Sequence, residues 1–259
     1  MDTTDVDTTV EPVASSTSPS VARNVVTESV GTFVLMLAGP GVVVLGDNVD
    51  TFAASVSFGV GLAIAIGVIG AVANPMFSLA LLLVREISPR EAVGDWVGQV
   101  VGAIAGAAAI WGLNDQTRVT AGANGWDRSG FGELGTVIAA ELVFGVILVV
   151  VLLMAVVDGY GLGGVALATG AAYAVGHLVL LGIDGGGLNP ARSLGSALFS
   201  DTDPNALGQV WVFVLVPLVA TVVGVFVWLA VADSTIDDTV FDETVLDDLQ
   251  NELVDDHDD

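Results

Sequence analysis

The sequence predicts an all-α membrane protein: six transmembrane helices plus two half-helices, arranged as an inverted repeat. Three observations carry this. Hydrophobic residues make up 53% of the 259 residues, with a mean hydropathy of +0.79, more than a soluble domain carries. Six apolar segments reach the roughly 20 residues that a hydrocarbon core about 30 Å thick requires of a helix. Two Asn-Pro dipeptides, Asn74-Pro75 and Asn189-Pro190, stand 115 residues apart, and each opens an apolar stretch too short to cross.

In chain order the first two spans are expected at about 25–46 and 52–73. Pro75–Val84 follows, bounded by Arg85 and Glu86, and at about 1.5 Å per residue it reaches roughly 15 Å, half a membrane. The third span is expected at about 94–113. The second half repeats the order with spans at about 134–157 and 160–183, a short segment Pro190–Ser200, and a last span at about 205–232. Glu28 precedes Asn74 by 46 residues and Glu141 precedes Asn189 by 48, so the two halves, about 22–115 and 132–232, read as a duplication. An odd number of crossings per half turns the second half upside down relative to the first.

Each Asn-Pro pair is a well-specified helix start. Asn is a favoured N-cap, and Pro at the first helical position gives up an N–H that would have no intrahelical partner. Two half-helices would meet at their N-termini near mid-membrane. Each carries roughly half a positive charge there from aligned peptide dipoles, which opposes cations and leaves neutral molecules unaffected. The pairing suggests a pore.

Negative charge is concentrated at the ends. The net charge is −24, and of the thirty acidic residues four fall in 1–21 and twelve in 233–259, so both stretches are predicted to be acidic tails flanking a membrane domain at 22–232. All six basic residues are Arg and the pI is near 4.1. This composition resembles an extreme halophile's proteome, in which one-signed charge keeps a surface soluble in concentrated salt. It argues against a nucleic-acid partner. In the C-terminal tail Phe241, Val245 and Leu249 recur every four residues with Leu246 and Leu253 beside them, a pattern open to an amphipathic helix.

Several functions are excluded or disfavoured. With no Cys there is no disulfide or thiol chemistry. With no Lys there is no Schiff base for a retinal chromophore. Two His, one of them His257 in the tail, and no clustered carboxylates within the spans leave no recognisable catalytic set, so neither an enzyme nor a cofactor or metal site is expected. Gly185-Gly186-Gly187 lacks the Gly-Lys-Ser/Thr of a phosphate loop. An ion-coupled transporter needs intramembrane carboxylates, and only Glu28 and Glu141 lie well inside the expected spans. The N-terminus lacks the basic, short-apolar pattern of a signal peptide. Arg23, Arg85 and Arg90 against Arg118 and Arg128 give a weak positive-inside bias that places both termini in the cytoplasm.

Over about residues 24–232 the chain resembles the aquaporins, or major intrinsic proteins. The resemblance rests on Glu28-Ser-Val-Gly-Thr32-Phe33, Glu141-Leu-Val-Phe-Gly, the run Gly187-Leu-Asn-Pro-Ala-Arg-Ser-Leu-Gly195 and the Gln99 segment of the third span. It implies a passive water channel that excludes protons and ions, a homotetramer in which each subunit has its own pore, and water and the lipid bilayer as partners. By that resemblance Asn74, Pro75 and Met76 and Asn189, Pro190 and Ala191 form the two pore motifs, with the Asn amides orienting water. Phe58, His177, Gly186 and Arg192 form the outer constriction. His177 stands twelve residues before Asn189, the register of water-selective members; the alternative is a buried His satisfied by a backbone carbonyl. For Arg192 the alternative is an ion pair with Glu141. Glu28 and Glu141 hold the half-helix loops by accepting backbone N–H groups.

The chain also departs from the family pattern. The first motif reads Asn-Pro-Met-Phe, and Phe58 lies sixteen residues before Asn74, which requires a loop shortened by about one turn. Gly186 occupies a position where glycerol channels often have Gly, so a facilitator of glycerol or another small neutral solute is the closest rival. Ser193 after the motif Arg, and His177 itself, favour water. Threonine at 186 is expected to narrow the constriction. Asp184 either neutralises Arg192 or accepts the N–H of Gly186 or Gly187 in an Asx-type turn; the turn is the preferred reading.

Overall fold

The computed structural model describes residues 21–115, 120–232 and 239–240. Among them are six helices long and apolar enough to cross a bilayer: α1 (Val21–Leu45), α2 (Thr51–Ile69), α4 (Pro89–Leu113), α5 (Leu134–Val157), α6 (Gly161–Leu180) and α8 (Ala206–Val231). Two nine-residue helices, α3 (Pro75–Leu83) and α7 (Pro190–Leu198), interrupt the series at equivalent places. Residues 1–20, Arg118 and the apolar pattern over 241–253 lie outside the described residues.

Local chemistry sets the helix bounds. Helix α4 starts at Pro89, five residues before the expected 94, because Ser88 and Glu91 close a capping box: Ser88 Oγ accepts the Glu91 N–H at 3.2 Å and Glu91 Oε2 accepts the Ser88 N–H at 2.8 Å. Asp95 therefore falls inside the span, where it is buried and accepts from the Asn24 amide at 2.5 Å. The expectation of only two carboxylates well inside spans is corrected to three. Helix α2 ends at Ile69 instead of 73. Gly70 takes the left-handed conformation (φ 80°), and residues 70–74 run as a loop into α3.

Packing follows the repeat. Helix α1 lies on α4 as α5 lies on α8, and α2 and α6 meet along the seam between the halves. Close approach at that seam needs Gly59 and Gly170: a Cβ at Gly170 would stand 2.7 Å from the Gly59 carbonyl oxygen. Each half-helix also rests on the last span of the other repeat, α3 on α8 and α7 on α4, so the halves are interlocked. In α1, Pro40 sits in a π-turn at Leu37–Gly41. Gly39 in that turn leaves room for Phe58, whose ring a Cβ there would meet at 2.5 Å. Val240 donates its N–H to the Leu83 carbonyl at 2.9 Å, bringing the start of the acidic C-terminal stretch against the end of α3.

Candidate functional site

The tips of α3 and α7 are built by matching sets of bonds. Asn74 and Asn189 take extended backbone conformations (φ −154° for both) and cap their helices, Asn74 Oδ1 accepting from Met76 N and Asn189 Oδ1 from Arg192 N, each at 3.1 Å. Their amide nitrogens cross over. Asn74 Nδ2 donates to the Leu188 carbonyl and Asn189 Nδ2 to the Ala73 carbonyl, both at 2.8 Å. A side-chain amide has two hydrogens, so each Asn retains one for a further acceptor.

The residues before the caps, Ala73 (φ 55°) and Leu188 (φ 57°), are held in the left-handed region, which costs a non-glycine residue about 1–3 kcal/mol. Two buried carboxylates hold them there. Glu28 accepts the N–H groups of Val72 (2.5 Å) and Ala73 (2.8 Å); Glu141 accepts those of Gly187 (3.0 Å) and Leu188 (2.9 Å). Two hydrogen bonds per loop, at about 0.5–1.5 kcal/mol each, offset a strain of that size. Gln99 steadies Glu28 through Nε2 at 2.9 Å and donates equally to Ser78 Oγ.

Met76 and Ala191, the third motif residues, point away from this junction. Met76 packs in the main core and its carbonyl accepts from Thr221 Oγ1 at 3.3 Å, whereas Ala191 packs with Met36, Ala103 and Ala107.

The four residues expected at the outer constriction come together. Phe58 and His177 stack with ring centroids 3.9 Å apart at 22°, and the Arg192 guanidinium carbon lies 5.3 Å from the Phe58 centroid. Gly186 abuts the imidazole: its φ is +70°, and a Cβ there would come within 2.6 Å of His177 Cδ2. The expectation that threonine at 186 would merely narrow the gap is therefore corrected, because both the backbone and the ring oppose any side chain. His177 Nδ1 lies 2.9 Å from the Tyr173 carbonyl, which can only accept, so the proton sits on Nδ1 and Nε2 offers a lone pair.

Arg192 is fully buried and its hydrogen bonds run to the Asn124 side-chain oxygen and to the Gly185 carbonyl (3.0 Å), not to Glu141 or Asp184. Asp184 instead accepts the Gly186 N–H on Oδ1 at 2.8 Å in an Asx turn, and its backbone carbonyl receives Gly125 N at 3.0 Å and Asn124 Nδ2 at 3.3 Å. Asn124, which sequence reasoning missed, thus links Arg192 to the Asp184 loop. Tyr173 was missed as well. It stands one turn before His177 on α6, with its ring 4.2 Å from the imidazole, and a four-residue periodicity search from His177 would have found it.

Arg192 Nε, His177 Nε2 and Tyr173 Oη are buried with no hydrogen-bond partner among the described residues. Leaving such atoms unpaired costs about 1–3 kcal/mol each, so an arrangement of this kind calls for mobile hydrogen-bonding molecules between them.

Two half-helices joined tip to tip inside six spans, with a guanidinium and an imidazole beside the junction, define a channel-type, multi-pass membrane protein. Residues 15–228 match the family described as Major intrinsic protein, and the chain belongs to that family, whose members are channels. A glycerol uptake facilitator protein-like 6 of Lactiplantibacillus plantarum is 30% identical over 211 residues, covering 79% of this chain and 95% of the relative. An aquaporin Z of Brucella melitensis is 33% identical over 218 residues, covering 78% and 94%. The X-ray structure of the aquaglyceroporin from Plasmodium falciparum superposes with a TM-score of 0.70 at 24% identity, over 84% of this chain and 99% of that one. That likeness bears on the fold alone.

Proposed function

We propose that the chain is a passive water channel that excludes protons and ions. The observation that carries this reading is the reciprocal Asn74–Asn189 junction, where each amide keeps one hydrogen for a passing oxygen while the aligned N-termini of α3 and α7 make the same point positive. A water oxygen accepts from both amides, so its own hydrogens point away from each other and the hydrogen-bonded file reverses there. A cation meets the dipole ends and, further out, the Arg192 charge, and it loses hydration that the site does not replace.

Water rather than glycerol is favoured by the Phe58–His177 stack, which sets two aromatic rings beside the Arg192 guanidinium. Glycerol passage is the second reading, favoured by the absence of a side chain at Gly186. Each buried carboxylate has at least one donor on it, Glu28 and Glu141 from the loops, Asp95 from Asn24 and Asp184 from Gly186, which supports passive passage over ion coupling. The partners of this reading are water, the bilayer and three further copies of the chain, with both termini in the cytoplasm. The acidic, Lys-free composition supports a halophilic source.

Stopped-flow light scattering on proteoliposomes at high salt tests it. Shrinkage under an impermeant osmolyte is expected to be faster than in empty vesicles and indifferent to ion gradients, with little re-swelling in glycerol. Re-swelling in glycerol as fast as the shrinkage would favour the facilitator.

A further inference from the structure

Thr169, Tyr173 and His177 follow one another at four-residue intervals on α6 and so share one face, about 12 Å from first to last. All three are fully buried. Each carries a polar side-chain atom without a partner among the described residues: Thr169 Oγ1, Tyr173 Oη and His177 Nε2. Buried polar atoms are nearly always paired, so three unpaired ones in line on one helix face point to molecules that pass along it. His177 belongs to the outer constriction. Tyr173 is its inward continuation, edge-on to the His177 imidazole at 4.2 Å and to the Phe58 ring at 6.1 Å.

We propose that Tyr173 is a specificity-determining residue of the conduction path, with separate roles for its ring and its hydroxyl. This rests on the water-channel reading. The ring is a second aromatic wall about one helical turn, roughly 6 Å, inside His177. A polyol that squeezes past a constriction one residue deep regains room at once. Past two layers it must stay stripped of water along its whole length, with only Tyr173 and His177 offering hydrogen bonds on that face. A water molecule needs no more width and finds successive partners. The hydroxyl both donates and accepts, so it relays water from His177 Nε2, an acceptor, to the Asn189 amide, a donor.

Two substitutions separate the roles. Tyr173→Phe keeps the ring and removes the hydroxyl; Tyr173→Val removes both. Each is reconstituted in proteoliposomes, and water and glycerol permeability are measured per channel after size-exclusion chromatography shows a monodisperse protein. Tyr173→Val is expected to raise the glycerol-to-water permeability ratio by about tenfold or more. Tyr173→Phe is expected to leave that ratio unchanged, to lower water permeability about two- to threefold and to raise its activation energy, through one lost hydrogen bond. Should the Val variant not fold, Tyr173→Leu, closer in volume, serves the same comparison. A residue that only wedges α2 from α6 would lower thermal stability without moving the ratio, and an unchanged ratio in Tyr173→Val would overturn the proposal. If the wild type shrinks no faster than empty vesicles, the water-channel reading itself has failed, an outcome separable from the former because it appears before any substitution is made.

Discussion

Arg192 is held by Asn124, a residue 68 positions earlier in the chain, whose side-chain oxygen receives its guanidinium while the same side chain's amide donates to the Asp184 carbonyl. A charge inside a membrane segment costs at least a few kcal/mol unless it meets water or a partner, and here the partner is neutral. Arg192 thus sits beside a neutral hydrogen-bond partner and gives no hydrogen bond to a carboxylate among the described residues. Replacing Asn124 with Asp should pair that charge and lower the barrier to cations, so a sodium flux or a pH-dye response that scales with protein content is expected in vesicles carrying Asn124→Asp. An Asn124→Ala variant should lose stability by about 1–3 kcal/mol through the unpaired guanidinium N–H, read as an earlier thermal unfolding, without that cation flux.

Removing the charge itself gives a second test. Arg192→Val is expected to admit more glycerol and to increase proton entry, with water flow retained, because width grows and the outer positive potential disappears while the dipole ends remain. Vesicles loaded with a pH-sensitive dye report it under an imposed gradient. A wild-type response already proportional to protein content would contradict exclusion by this site.

At the constriction, Gly186 and His177 should respond in opposite directions. Any side chain at Gly186 meets the imidazole and a backbone at φ +70°, so Gly186→Ala is expected to cut water flow by about tenfold or to destabilise the protein, and not merely to tighten selectivity. His177→Gly should raise glycerol permeability more than water permeability. Equal changes in both permeabilities for His177→Gly would place the constriction elsewhere.

Asp184 acts through Oδ1 on the Gly186 N–H. Asn keeps an oxygen for that bond and Ala does not. Asp184→Asn is expected to conduct water like the wild type with cations still excluded, whereas Asp184→Ala should lose conductance or unfold at lower temperature. An Asn variant as impaired as Ala would assign the role to the charge.

Much of the architecture was legible because its signals are local. Asn-Pro names a helix start wherever it occurs, and six apolar runs of sufficient length need no tertiary information. The Glu28 and Glu141 positions were legible as a pair through duplication, since they precede the two Asn residues by nearly the same spacing, 46 and 48, and their role came from the family resemblance. The start of α4 was placed five residues late, because the hydropathy run begins after Arg90 and Glu91, which form the first turn set by Ser88. Asn124 was invisible for another reason: its place beside Arg192 depends on how a connection folds over the second half, and no periodicity or spacing encodes that. Tyr173 was concealed by its company, an aromatic residue among the Ala, Val and Gly of a span, which reads as core until its neighbours are known. The Phe58 spacing looked wrong by a turn, yet its ring stacks on His177 all the same.

The crossed amides of Asn74 and Asn189 also impose an order in time. A ribosome adding about 5–20 residues per second reaches Asn189 roughly 6–23 s after Asn74, because 115 residues separate them. Throughout that interval the Ala73 carbonyl and the Asn74 amide stand in a forming membrane domain without the partners they later hold, where hydrocarbon offers none. The first half is thus a waiting structure, closed only when its inverted twin arrives, and the bonds at the centre of the protein join segments made many seconds apart.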